Sequence, residues 1–280
     1  MKPTTVKRSF GLACCRFNLE KKKMEILMIK KRYTFYFVEF ILGHYFVNDA
    51  TRLLYLFNRM SAEEKSELES LNFSRMWYRV WLKDFSDPTQ YQSKEYQNFC
   101  RCNNKFERSF LRDHGKRLKS LLNASTNQDS MWEIPKGRKN NPQEPDLNCA
   151  QRETFEEVGI DVNNYTMLPE LKTFNIEYTN EKAKYIHKYF VCIEKVPISD
   201  SKKYKSPKHY LNYLDRRQVS EVTEVKWMTL DELKFVDYTG RFILLATRLF
   251  RMLVKRYRLP KMTELGMIGD HIKPIEVKSD

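Results

Sequence analysis

GRKNNPQEPDLNCAQRETFEEVGI, residues Gly137–Ile160, is the stretch on which the rest of the chain is read. A loop containing Pro142 and Pro145 carries Glu144, and the spacing that follows predicts a helix from about Leu147 to Val158. Asp146 is placed to cap its start and Gly159 to end it. On that helix Glu153, Glu156 and Glu157 fall at i, i+3 and i+4, so their carboxylates share one face. Three like charges held together disfavour a helix, and a divalent cation with a preference for oxygen ligands relieves the repulsion. Arg152, one residue ahead of the cluster, is positioned to orient or neutralise Glu144. An acidic triplet at helical spacing is, by itself, usually a solvated face. The loop acid, the Arg-Glu pair, the Glu-Glu pair and the closing Gly-Ile in one segment point to chemistry instead.

The segment resembles the Nudix box, G-x5-E-x7-R-E-U-x-E-E-x-G-U, where U is a bulky aliphatic residue. It departs from that pattern twice. Six residues separate Gly137 from Glu144, which alters the reach of the loop acid, and Thr154 stands at an aliphatic position. Both departures leave the helical carboxylates in register. The preceding WEIPKG (Trp132–Gly137) resembles the corresponding segment of decapping Nudix enzymes, where a lysine, here Lys136, sits close to the substrate phosphates. The wider chain is similar to the decapping proteins of large cytoplasmic DNA viruses of the African swine fever type. GLACCRFN (11–18), MEILMIKKRYTFYFVEFILGHY (24–45), RMWYRVW (75–81) and WEIPKGR (132–138) carry the likeness, which extends to about residue 230 and more loosely through the last helix.

That resemblance implies an α+β fold: a Nudix α/β/α sandwich interrupted after its second strand by a mostly helical domain that binds RNA. It implies Mg²⁺ or Mn²⁺ as cofactor, and capped RNA and diphosphoinositol polyphosphates as substrates. Carried over by position, Glu153 is the catalytic base or a metal ligand, Glu144 and Glu157 are metal ligands, and Glu156 is a further ligand. Lys136 and Arg152 face the substrate phosphates. A later acid often completes such a shell, and Glu177 and Glu181 are candidates. In decapping, the products are 7-methylguanosine diphosphate and RNA with a 5′-monophosphate, released in the cytoplasm of a host cell.

Composition sets the outer bounds. A chain of 280 residues with 41% hydrophobic and 14% aromatic content is long enough for one sizeable core and a second, smaller unit, and is not disordered. A formal net charge of +14 favours anionic partners. The surplus is concentrated at residues 1–32, 101–120 and 241–261, which makes Lys30, Lys31, Arg32, Lys116, Arg117, Arg248, Arg251 and Lys255 the candidates for RNA contact. The six cysteines lack the paired spacing of a zinc site, so free, mostly buried thiols in a reducing compartment are expected. No secretory signal or apolar span of about 20 residues is visible, and a soluble intracellular protein follows. Oligomeric state stays open, a dimer included.

The expected domain plan is 1–35 for the first part of the Nudix domain, 36–125 for the helical insertion, 126–260 for the remainder with its C-terminal helix, and 261–280 for a tail. Strands are expected at 8–19, 24–32, 131–135, 168–178, 184–196 and 221–228, with a basic loop at Lys202–Lys208. Ser61 with Glu64 matches a capping box. Arg241–Arg258 reads as an amphipathic helix with a basic outer face. A cationic methylated guanine would stack on aromatic rings, for which Tyr33, Phe35, Tyr36, Phe37, Trp77 and Trp81 are available. Two other readings stay open: hydrolysis of a small polyphosphate such as a diphosphoinositol polyphosphate or a nucleotide, and an RNA-binding module without catalysis.

Overall fold

The computed structural model describes residues 5–18, 20–83, 85, 91–126, 132–179, 183–195, 211–212, 214–237 and 239–257. In chain order, β1 (Thr5–Asn18) and β2 (Lys23–Lys31) lead into the helices α1 (Phe35–Ile41), α2 (Ala50–Phe57), α3 (Ala62–Glu69), α4 (Phe73–Trp81), α5 (Lys94–Phe106) and α6 (Lys116–Asn123). Next come β3 (Trp132–Glu133), β4 (Lys136–Gly137), α7 (Asp146–Val158), β5 (Tyr165–Met167), β6 (Phe174–Thr179) and β7 (Ala183–Glu194). The chain continues through α8 (Arg216–Glu221), β8 (Val222–Met228), α9 (Leu230–Val236) and α10 (Arg241–Tyr257). These strands and helices make an α+β fold, as expected.

The residues divide into two compact units. One comprises Met1–Lys30, Trp132–Tyr213 and Glu224–Asp280; the other comprises Lys31–Met131 and Leu214–Thr223. In the first, a mixed sheet runs in the order β3-β2-β1-β7-β5, with β4 on β1, β6 on β7 and β8 on β2. β1 and β7 are parallel over eleven residue pairs from Thr5↔Ala183 to Cys15↔Ile193, and the pairings of β1 with β2 and β4 are antiparallel. The core behind this sheet joins Ala13, Met28, Tyr189 and Val191 to Leu249 and Leu253 of α10. Cys14, Cys15 and Cys192 are buried, free thiols in adjacent strands.

The second unit has its own aromatic core, with Phe37, Phe40, Phe57, Phe106 and Phe110 all at most 1% exposed. Trp77 belongs to it, and Trp81 packs against it. The capping box of Ser61 and Glu64 opens α3. Glu64 also accepts hydrogen bonds from Thr34 N and, at 2.9 Å, Thr34 Oγ1, which ties the entrance of α1 to α3. Residues 214–223 join this unit through Lys31 and Arg32. Arg32 N donates to Glu221 O at 2.8 Å, its Nε donates to Val219 O, and Lys31 pairs with Glu221 at 3.4 Å.

Several local expectations are corrected. Residues 168–178 do not form one strand: Leu171 N turns back to Leu168 O, and β6 starts only at Phe174. The N-cap of α7 is Pro145 rather than Asp146, which is the first helical residue and makes no capping bond. Its carboxylate goes instead to Lys139 at 2.7 Å and Lys188 at 3.1 Å. Lys202–Lys208, Glu181 and the 261–280 tail lie outside the described residues. Among the described residues no helix is long and apolar enough to cross a membrane.

Candidate active site

β4 and α7 position the box. Gly159, at φ +71°, closes α7 in the left-handed conformation that glycine adopts without a Cβ penalty. At the other end, Gly137 is required by close approach: a Cβ there would lie 2.0 Å from the Glu153 carboxylate. Glu153 therefore rests on bare backbone. Thr154 is 1% exposed, so the hydroxyl at the usual aliphatic position faces the interior of the packing.

One guanidinium organises three of the four box carboxylates. Arg152 donates from Nε to Glu144 Oε1 at 2.8 Å and from Nη2 to Glu144 Oε2 at 3.2 Å, a bidentate clamp. Its Nη1 reaches Glu153 at 2.8 Å and Glu156 at 3.0 Å, and its Nη2 also donates to Arg138 O at 2.8 Å. Asn140 N donates to Glu144 at 2.8 Å, so the loop with its additional residue still delivers the acid to the helix. The hydrogen bonds from Arg152 and then from Asn140 N hold the Glu144 carboxyl below its ordinary pKa. Glu144 and the other contacts raise that of Arg152. Glu157, 3% exposed, takes the fourth place by accepting from Lys136 N at 2.8 Å. Lys136 Nζ pairs with Glu133 at 2.6 Å. Cys149 sits beneath the cluster, and burial pushes its thiol up to about 11, which keeps it a thiol.

This donor set is carboxylate oxygen throughout, the chemistry that Mg²⁺ and Mn²⁺ prefer. Arg152 supplies the balancing positive charge, and no group of three or more His, Cys, Asp or Glu side chains among the described residues surrounds a common metal position. Glu177, a candidate for a further ligand, pairs with Lys184 at 2.7 Å.

Strand register brings together groups that the primary structure keeps apart. Ser9 on β1 is the partner of His187 on β7, and the Ser9 hydroxyl is hydrogen-bonded to His187 Nδ1. His187 Nε2 lies 3.3 Å from the Tyr178 hydroxyl. Burial, and then the charge of Lys136, depress the His187 pKa to about 4, so the ring is neutral at pH 7. Tyr178 and Tyr185 stack at 4.9 Å and 6°, with Arg241 over Tyr178 at 4.6 Å and Lys7 over Tyr185 at 5.5 Å. Beside the box loop a cavity of about 570 Å³ is lined by Arg8, Phe10, Arg138, Lys139 and Asp146 among others. Apart from Asp146, expected as a helix cap, and Arg241, expected at the start of the basic helix, none of these was assigned a role from the sequence. The alternation of Tyr185, His187 and Tyr189 along β7 is a visible signal, but its partners on β1 and β6 depend on register.

The candidates for RNA contact divide into two groups. Lys116, Arg248, Arg251 and Lys255 are exposed. Lys30, Lys31, Arg32 and Arg117 are half-buried, and the Arg117 guanidinium is turned inward to Val47 O. Of the aromatic candidates for cap stacking, Phe37 and Trp77 are core, while Phe35 is exposed and Tyr33 and Tyr36 are half-buried.

Comparison with known proteins gives the family. A NUDIX domain model matches residues 110–246. The mRNA-decapping protein g5R of African swine fever virus (strain Badajoz 1971 Vero-adapted) is 33% identical over 240 residues, 85% of this chain and 89% of that protein. An Acanthamoeba polyphaga mimivirus protein, named provisionally for mRNA decapping, is 25% identical over 78% of this chain and 61% of its own. The Ap4A hydrolase of C. elegans aligns over 89% of this chain and 98% of its own with a TM-score of 0.42 and 14% identity. The chain is a Nudix hydrolase, and it belongs to that family in company with the mRNA-decapping proteins of large DNA viruses.

Proposed function

We propose that this hydrolase removes the cap of messenger RNA, cutting the cap pyrophosphate to release 7-methylguanosine diphosphate and RNA with a 5′-monophosphate. The observation that carries the reading is the gathering of Glu144, Glu153 and Glu156 on Arg152, with Glu157 tied to the backbone of Lys136. The extent of the relationship to the viral decapping protein supports capped RNA as the substrate.

In this reading Glu144, Glu153, Glu156 and Glu157 hold Mg²⁺ or Mn²⁺. Such an ion, when bound, polarises phosphate oxygens and makes water a better nucleophile. Glu153 accepts the proton of the attacking water, fixed by its seat on Gly137. Arg152 orients Glu144 and, with Lys136, faces the phosphate chain. The exposed Lys116, Arg248, Arg251 and Lys255 contact RNA phosphates, and the protein acts in the cytoplasm of the host.

The test is incubation of cap-labelled RNA with Mg²⁺ or Mn²⁺ and either wild type or Glu153→Gln. Cap diphosphate release is expected from wild type, with the variant slower by about 10²–10⁴-fold. Equal rates remove Glu153 from the mechanism, and absence of cap diphosphate from wild type removes the decapping reading.

The cavity lined by Arg8, Arg138 and Lys139 favours a second substrate, a compact polyanion such as a diphosphoinositol polyphosphate. Under that reading Arg8→Ala lowers kcat/KM for the inositol substrate more than for capped RNA.

A further inference from the structure

Asp146 stands where a helix cap would, yet it keeps the company of an anion. It is the first residue of α7 and makes no capping hydrogen bond. Its two carboxylate oxygens go to different lysines: Lys139 Nζ lies 2.7 Å from Oδ1 and Lys188 Nζ 3.1 Å from Oδ2. The three side chains are 26–34% exposed, so a solute can reach them. They also stand at an opening. Among the described residues that line the cavity of about 570 Å³, Arg8, Arg138 and Lys139 are cations and Asp146 is the single acid. Its wall is the box loop, in which Asn140 N holds Glu144 at 2.8 Å. A carboxylate between two ammonium groups in a cationic cavity accepts the same charge-assisted hydrogen bonds that phosphate oxygens accept.

We propose that Lys139 and Lys188 form a phosphate subsite that Asp146 fills in the free protein, so that a substrate phosphate binds there only by displacing the carboxylate. The proposal deepens the reading of the cavity as the seat of a compact polyanion, and rests on it. Displacement breaks two partly exposed ion pairs. It is favourable because a phosphate group brings a charge of about −1.5 to −2 against −1 for the carboxylate. Lysine is a point charge on a flexible stem and can follow either partner. Asp146 thus keeps the two lysines in place before substrate arrives, and weakens the hold on any anion that takes them.

The test is isothermal titration calorimetry of inorganic pyrophosphate into the full chain in metal-free buffer. Wild type is compared with Asp146→Asn, with Asp146→Asn combined with Lys188→Met, and with Asp231→Asn as a matched control. Asp231 also bridges two lysines, Lys23 at 2.7 Å and Lys234 at 3.1 Å, but does not line the cavity. Lys23 is opposite Asn18 at the end of β1, about 26 Å along the strand from Phe10 of the cavity, which exceeds the roughly 10 Å screening length at 0.1 M salt. Asp146→Asn is expected to bind about 3–30-fold tighter than wild type, the factor that two exposed ion pairs are worth. Adding Lys188→Met is expected to return about half of that gain or more on a logarithmic scale, and Asp231→Asn to stay within about twofold of wild type. Wild-type affinity in Asp146→Asn, an equal gain in Asp231→Asn, or a gain that survives the loss of Lys188 in full overturns the proposal. Wild-type binding that Arg8→Ala weakens, with no gain in Asp146→Asn, leaves the polyanion reading of the cavity standing and sinks the subsite alone. Absence of pyrophosphate binding in every protein sinks both.

Discussion

Gly137 and Glu153 share a space that holds one side chain. The atoms a Cβ at residue 137 would meet are the far end of a flexible glutamate, 2.0 Å away, so the carboxylate rather than the backbone would yield. Gly137→Ala is therefore expected to unfold within about 1 kcal/mol of wild type in urea, while under the proposed role of Glu153 kcat falls by about 100-fold because its carboxylate is displaced. A large stability loss with kcat preserved in the folded fraction would show that the glycine serves the fold alone. The same small region shows how much of the site was legible. The i, i+3, i+4 spacing placed Glu153, Glu156 and Glu157 on one face, and Arg152 followed as the partner of Glu144. That Arg152 would also hold Glu153 and Glu156 required side-chain geometry, because one guanidinium offers donors in several directions.

Among the elements, α3 is the one whose stability depends most plainly on protonation. Glu64 completes its capping box and also accepts from Thr34, yet burial pushes its carboxyl up to about 7. A folded pKa above the ordinary 4.5 means that the unfolded chain ionises first as pH rises. The stabilisation is then complete below about pH 4.5 and is lost as pH climbs through 7, by at most about 3 kcal/mol over that interval. Denaturant unfolding of wild type is expected to show this decline between pH 5 and 8, and Glu64→Gln, which cannot ionise, to remove it. Equal slopes for the two proteins would place the titration elsewhere. The capping box was readable in advance because it is local. The bond to Thr34 was not, since it joins residues 30 positions apart. Asp146 shows the converse: its position suited a cap, but Lys139 and Lys188 compete for the same carboxylate.

For the whole molecule the governing quantity is the charge of +14. If RNA is held through 6–10 phosphates, affinity is expected to fall by about 10³–10⁵ between 50 and 200 mM salt. Filter binding across that range measures the slope, and a flat response would count against RNA as the ligand. Charge runs along the chain showed where cations are dense but not which of them face water. Arg117 and Arg32 donate to the carbonyls of Val47 and Val219, whereas Arg248 and Arg251 are exposed on one helix. Substitution of Arg248 and Arg251 is accordingly expected to reduce the salt slope without loss of stability. Substitution of Arg117 is expected to lower the thermal midpoint.

Local interactions settled most of what the primary structure could express: the helix bearing the carboxylates, the glycine that ends it, the capping box of α3 and the amphipathic α10. These depend on neighbours within one or two turns, so their information is contiguous. Only tertiary structure decided the Ser9–His187–Tyr178 contact, the seat of Glu153 on Gly137 and the membership of residues 214–223 in the helical unit. Each depends on strand register or on a contact between distant segments. Along a strand, a shift of one residue sends every side chain to the opposite face, and between β1 and β7, distant in sequence, no connecting turn sets the register.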